Sequence, residues 1–203
     1  RIEENDEGIV SLDTILRGTC SPYHLLDIFQ NFLIFDGDSS DLTKLMAKNH
    51  QYLGVNKVIS KVNNLEDLKG KLGVFWHTQG AGKSYSMVFL CQKLLRKMGK
   101  SITFLIVVDR TELENQLYET FSGTGALKEE NVRANSREHL KELLSENHRY
   151  VFTLIHKFSV DQKMEDEYPL ITDRSNIIVI SDEAHRTQGG KFAQNMRFNA
   201  IPN

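Results

Sequence analysis

The chain has 203 residues, of which 40% are hydrophobic and 26% charged, and its net charge is −2. That balance excludes a disordered chain and fits one soluble globular domain, or one plus a small appendage. No overall basic excess announces a nucleic-acid partner, although a local basic groove is compatible with it.

Residues 1–8 are mostly acidic and read as a solvated lead-in. Leu12, Ile15 and Leu16 recur at helical spacing up to Gly18, a stop signal. Ser21-Pro22 supplies an N-cap and a first-turn proline for a helix presenting Leu25, Leu26, Ile28, Phe29, Phe32 and Leu33. Asp36-Gly37-Asp38-Ser39-Ser40 breaks it, and Leu42–Ala47 is too short to assign. From Asn49 a helix carrying Val55, Val58, Ile59 and Val62 runs to Asn63-Asn64. Residues 1–65 therefore read as a helical linker segment.

After Leu72 the rhythm changes to apolar runs alternating with amphipathic helices. Strands are expected over Leu72–Trp76, Ile102–Val108, Tyr150–Ile155 and Asn176–Ile180. Helices are expected from Lys83 to Gly99, from Thr111 past Phe121 and over Ser136–Ser145. A charged helix or loop is expected around Met164. Continuous β-branched runs, rather than alternating ones, point to strands buried on both faces. The predicted class is α/β, a mostly parallel sheet wrapped by helices, over residues 66–203.

Between the first of these strands and its helix lies Gly80-Ala81-Gly82-Lys83-Ser84. Glycines let backbone N–H groups close around a polyphosphate without Cβ interference. The helix N-terminus adds positive potential. Lys83 supplies a compact charge for the outer phosphates, and the Ser84 hydroxyl is placed to ligate magnesium. Thr78 and Gln79 shape the loop. The strict phosphate-loop pattern places glycine at position 77, where this chain has His77.

A second motif decides the matter. The last predicted strand delivers Asp182-Glu183-Ala184-His185 at its C-terminal end, the side on which open α/β sheets bind ligands. Asp182 is suited to hold magnesium through its water shell. Glu183 is suited to orient or deprotonate an attacking water. The two motifs in this order predict a nucleoside-triphosphate site with catalytic Lys83, Asp182 and Glu183. A dinucleotide fingerprint needs a third glycine, and position 85 is Tyr85. A GTPase guanine reader is missing, since Asn56-Lys57 precedes the loop and lacks its aspartate. No transporter signature Leu-Ser-Gly-Gly-Gln precedes Asp182.

The Asp-Glu-Ala-His form resembles superfamily-two helicases and translocases, and several stretches resemble the motor (R) subunit of type I restriction-modification enzymes. Trp76-His77-Thr78-Gln79-Gly80-Ala81-Gly82-Lys83-Ser84 is similar to that family's phosphate loop, in which a histidine at position 77 is expected. His50-Gln51-Tyr52 with Val55-Asn56-Lys57 resembles its adenine-recognising element. Val108-Asp109-Arg110-Thr111-Glu112-Leu113 with Gln116 resembles its motif Ia, and Thr153-Leu154-Ile155-His156-Lys157-Phe158 the segment before Walker B. Asp182–Arg186 with Thr187-Gln188 completes the set.

The resemblance implies a RecA-like P-loop fold with ATP and Mg2+ as cofactors. It implies that Gln51 hydrogen-bonds the adenine edge. It makes Arg110, Thr111, Thr153, His156 and Lys157 candidate DNA contacts. His185 would couple the nucleotide to the DNA side. ATP hydrolysis would drive translocation on double-stranded DNA before cleavage, in complex with specificity and methyltransferase subunits. The nuclease residues and the second motor domain with its arginine finger would lie outside this fragment, which alone would bind ATP with little turnover. Alternatives are another superfamily-two DNA or RNA motor, or a non-hydrolysing nucleotide-gated scaffold. Cys20 and Cys91 form no disulfide framework, which favours a cytoplasmic setting. The longest apolar run, Ile102–Val108, is too short for a membrane span.

Overall fold

The computed structural model describes residues 12–37, 40–78, 80–99, 101–158 and 170–182, together with Met196. The chain divides into two compact units. One comprises residues up to Lys97 with Gly123–Ala126, and the other Met98–Ser122 with Leu127 onward.

The first unit opens with α1 (Leu12–Arg17) and α2 (Pro22–Asn31), the latter starting after Ser21 with proline in its first turn as the sequence predicts. α2 is shorter than its apolar run. Leu33 leaves the helix to begin β1 (Leu33–Asp36), which pairs antiparallel with β2 (Thr43–Met46). Four-residue strands with one exposed face carry too little apolar alternation to be separated from a helix by pattern alone. α3 (Asn49–Lys61), a 3-10 turn at Val62–Asn64 and α4 (Lys83–Met98) follow among the described residues of this unit. Its core joins Phe32, Tyr52 and Phe89, with Phe32 ring centroids 4.7 Å from Tyr52 and 5.8 Å from Phe89. Val55, Ile59, Val88, Cys91 and Leu94 are buried alongside them.

Lys93 of α4 pairs with Asp27 of α2 and also donates to the Asn56 side-chain oxygen of α3, pinning the three helices together. Burial alone would raise the Asp27 carboxyl. The hydrogen bonds from Lys93 and Asn31 outweigh it and hold the group below the usual carboxylate range.

The second unit is built on a parallel sheet in the order β4-β3-β5, with β3 at Thr103–Val108, β4 at Tyr150–Leu154 and β5 at Ile177–Ser181. Every residue of β3 and β4 is buried, as continuous apolar runs require when both faces are covered. Leu105, Val107 and Val151 pack with Leu140, Leu143 and Leu144 of α6 (Arg137–Ser145). Phe104, Tyr150 and Phe152 turn to the opposite face, where Phe121 of α5 (Thr111–Gly123) meets Tyr150 at 5.2 Å and Phe152 at 5.6 Å. Among the described residues a helix covers each face, and the α/β class expected from the sequence is observed. Full burial of a phenylalanine such as Phe121 stabilises by about 1.5–3 kcal/mol. The Ser136 hydroxyl caps α6 by accepting from the His139 N–H at 3.1 Å, a bond worth about 1 kcal/mol.

Two expectations need correction. Leu72–Trp76 forms no strand. It is irregular backbone with Val74 72% and Trp76 83% exposed. Phe75 lies against α3 at Gly54, where an added Cβ would come within 1.6 Å of the ring, and its ring sits 4.4 Å from that of His77. The glycine gap in α3 receives the Phe75 ring, and Leu72 is half-buried, so part of the apolar character is used without a sheet. β5, expected to be buried on both faces, is only partly so. It pairs with β3 along one edge and leaves Val179 37% exposed. The segment around Met164 lies outside the described residues.

Candidate functional site

The glycine turn belongs to the first unit. Thr78 O accepts from Ala81 N–H at 3.2 Å, closing a turn, and Gly80 and Gly82 have φ of +76° and +85°. These are left-handed backbone conformations that favour glycine. A Cβ at Gly80 would meet nothing within 4 Å, so space is open beside that glycine. α4 starts at Lys83, and its first helical bond runs from Ser86 N–H to Gly82 O at 3.1 Å. The amides before Ser86 carry the orphan-donor character of a helix start. Lys83 and Ser84 are half-buried at that first turn. An open glycine turn leading into helix-start amides, with a lysine and a hydroxyl in the first turn, fits a magnesium-bound polyphosphate.

The loop is supported from α3. The Gln51 side chain reaches back to accept from Lys48 N–H at 2.8 Å, the reciprocal half of a capping box. Its Nε2 donates to Gly82 O at 2.9 Å and to Ser86 Oγ at 3.1 Å. His50 Nε2 lies 3.1 Å from Ala81 O, and the His50 and His77 rings meet edge-on at 5.0 Å. His77 Nε2 stands 3.5 Å from Ser86 Oγ. Burial, then the positive charges of His50 and Lys83, push the His77 imidazole below its ordinary value. The Tyr85 hydroxyl donates to Asp36 of β1, and that bond, with burial, raises the phenol to about 12. On the same helix Tyr85 is half-buried and Met87 buried.

The second motif begins at the end of β5. Asp182 is 6% exposed, and its N–H donates to Val107 O of β3 at 2.9 Å, continuing the ladder for one more step. Glu183, Ala184, His185 and Gln79 lie outside the described residues.

The SWI2/SNF2 ATPase family model matches residues 50–203, from the residue beside Gln51 through both motifs. The chain belongs to the SWI2/SNF2 ATPase family. It is also similar to the HindI type I restriction enzyme endonuclease subunit of Haemophilus influenzae, 41% identical over 192 residues, which cover 91% of this chain and 18% of that one. The MjaIXP type I restriction endonuclease subunit of Methanocaldococcus jannaschii is 37% identical over 95% of this chain and 18% of its own length. A Mycoplasma pneumoniae protein named as the C-terminal part of the MpnIIP type I restriction enzyme endonuclease subunit is 31% identical over 84% of each. The chain thus spans about a fifth of the first two relatives and groups with the endonuclease subunits of type I restriction enzymes. With its parallel sheet and flanking helices, this SWI2/SNF2 ATPase chain has the RecA-like α/β class, and ATP is the nucleotide that the family name implies.

The remaining candidates separate by exposure. Arg110 and Thr111 are exposed at the start of α5, and His156 is exposed in the turn after β4. Lys157 is half-buried and donates to Ala134 O. Thr153 is fully buried in β4 and its hydroxyl lacks a hydrogen-bond partner, so it faces the interior rather than a surface a DNA strand could reach. Among the described residues, no group of three or more His, Cys, Asp or Glu side chains is arranged to hold a metal. Cys91 is buried and its thiol is raised well above its ordinary value, so it is an inert core group. No helix of the described residues is long and apolar enough to cross a membrane.

Sequence reasoning missed Ser86 and the structural part played by His50. The signal for Ser86 was present in its position, one helical turn after Gly82, where a serine hydroxyl bonds back to the carbonyl four residues earlier.

Proposed function

We propose that this chain is the nucleotide-binding part of an ATP-driven motor that moves along double-stranded DNA within a type I restriction enzyme. The observation that carries the reading is the open glycine turn, with positive φ at Gly80 and Gly82, leading into the first turn of α4 at Lys83 and Ser84. Family membership and the names of the relatives support the rest.

In this reading the backbone amides from Gly80 to Ser84 hold the β- and γ-phosphates. Lys83 neutralises the outer phosphate, and Ser84 with Asp182 holds magnesium, which when bound screens charge between the phosphates. Glu183 orients the attacking water and accepts its proton. His185 links the nucleotide to the DNA side. Arg110, Thr111, His156 and Lys157 are proposed phosphate contacts on DNA, which fix position rather than sequence. Full turnover requires an arginine from a second motor domain, a contribution of about 10³–10⁵ in rate. The specificity and methyltransferase subunits are the proposed partners.

The test is the ATPase rate of the full-length subunit with linear duplex DNA, single strands and RNA. Stimulation by duplex DNA well above the other two supports the motor. Equal rates with and without duplex would refute it.

A further inference from the structure

Arg133 has no part in the sites described above, yet the second unit holds its side chain firmly. Residues 132–134 run parallel to β4: Ala134 N–H donates to Phe152 O at 2.9 Å, and Phe152 N–H to Val132 O at 2.8 Å. Val132 and Ala134 are buried, so alternation along the chain turns Arg133 to the other face, the one that α5 covers. There its Nη2 donates to Glu114 Oε2 at 2.9 Å and to Asn115 Oδ1. Its guanidinium carbon lies 5.2 Å from the centre of the Tyr118 ring, within cation–π range.

These contacts do not use up the group. A guanidinium has five N–H donors, and both bonds are made by Nη2, so five minus two leaves three, on Nε and Nη1. The Arg133 side chain is 37% exposed, against 6% for Glu114. It is therefore a fixed cation, open to solvent, with donors to spare. Arg133 is also linked to both groups of proposed DNA contacts. Glu114 N–H donates to Arg110 O at 3.0 Å, which places the ion pair one helical turn from Arg110 and Thr111, both exposed. Lys157 donates to Ala134 O, on the residue next to Arg133.

Resting on the DNA-motor reading, we infer that Arg133 contacts a phosphate of duplex DNA and joins Arg110, Thr111 and Lys157 into one backbone-binding strip. Glu114 and Tyr118 are positioning residues that act through it. The contact fixes the position of the duplex and carries no base preference. Among the described residues Glu114 Oε1 is buried without a hydrogen-bond partner, so Arg133 also balances a carboxylate that would otherwise be stranded.

The experiment is a fluorescence-anisotropy titration of a short labelled duplex with the full-length subunit. It compares wild type, Arg133→Gln and Arg133→Lys between about 50 and 200 mM salt. For Arg133→Gln the expected affinity is about eightfold lower at about 0.1 M salt, and the plot of log K against log salt is less steep by about 0.9, the share of one phosphate. Arg133→Lys keeps the charge and the wild-type slope. If Arg133→Gln fails to fold because Glu114 is stranded, the double variant Glu114→Gln with Arg133→Gln removes both charges, and the same drop in slope is expected of it. An unchanged slope in the glutamine variant that folds overturns the inference, even if binding is weaker. A purely structural loss lowers the fraction of protein that binds, not the number of phosphates neutralised. Wild-type protein that binds no duplex refutes the DNA reading itself, and the inference with it, which is a different outcome from an unchanged slope.

Discussion

Gly82→Ala is the substitution whose cost follows most directly from the coordinates. Gly82 sits at φ +85°, where a residue with a Cβ costs roughly 1–2 kcal/mol. The new methyl would lie 3.0 Å from Gln51 Nε2, tight enough that the amide must withdraw by a few tenths of an ångström. Gln51 is tethered at Lys48 N–H and Ser86 Oγ, so withdrawal weakens its bond to Gly82 O, at about 1 kcal/mol. The two add to roughly 2–3 kcal/mol, or about 30–150-fold in an equilibrium constant. The nucleotide-free loop can relax that strain because space is open beside Gly80. Binding then has to restore it. The expectation is a MgATP dissociation constant raised by about that factor, measured by calorimetric titration, with the nucleotide-free melting temperature shifted by only a few degrees. Affinity within threefold of wild type would show that the loop geometry described here is not the binding geometry.

Three further outcomes follow from specific residues. Trp76→Ala should change unfolding free energy by no more than about 0.5 kcal/mol in a urea titration, because the ring is 83% exposed; a loss of 3 kcal/mol would restore a buried strand at Leu72–Trp76. His77 has its imidazole below the ordinary value of 6.5, so the folded state binds its proton less readily than the unfolded state does. Stability from this group is complete above that value and is lost as pH falls through the lower folded value; His77→Gln should flatten the melting-temperature profile below pH 6.5, and an unchanged profile would remove the histidine from it. Glu183→Gln in the full-length subunit should leave MgATP bound and stop DNA-stimulated turnover, and persisting turnover would remove Glu183 from its proposed part in activating water.

Much of the fold could be read before any coordinates, and the reasons are local. Ser21-Pro22 marks the start of α2, and the capping of α6 by Ser136 is a short-range bond. β3 and β4 are apolar at all but one position each, Thr103 and Thr153, and are buried over their whole length. What failed depended on distant partners. Apolar residues at 72–76 state that something should be covered, but not by what. Phe75 found Gly54 of α3, and Trp76 found nothing. The β1–β2 hairpin was hidden because Leu33 and Ile34 continue the apolar character of α2, and only the antiparallel pairing with Met46 and Leu45 tells them apart. In the site, the glycines were legible because their conformation is a property of their own backbone. The seat of Gln51 on Gly82 was not, because 31 residues separate them and no periodicity connects a helix to a loop at that distance. Resemblance singled out Gln51, but it gave none of its hydrogen-bond partners.

The central claim is that the turn at Gly80–Ser84 holds the phosphates of ATP. Its most direct test is a MgATP titration of wild type beside Lys83→Ala. The account predicts saturable binding to wild type and a loss of at least about a hundredfold in the variant, since a lysine charge on the outer phosphates is removed. Equal affinity in the two proteins would contradict it.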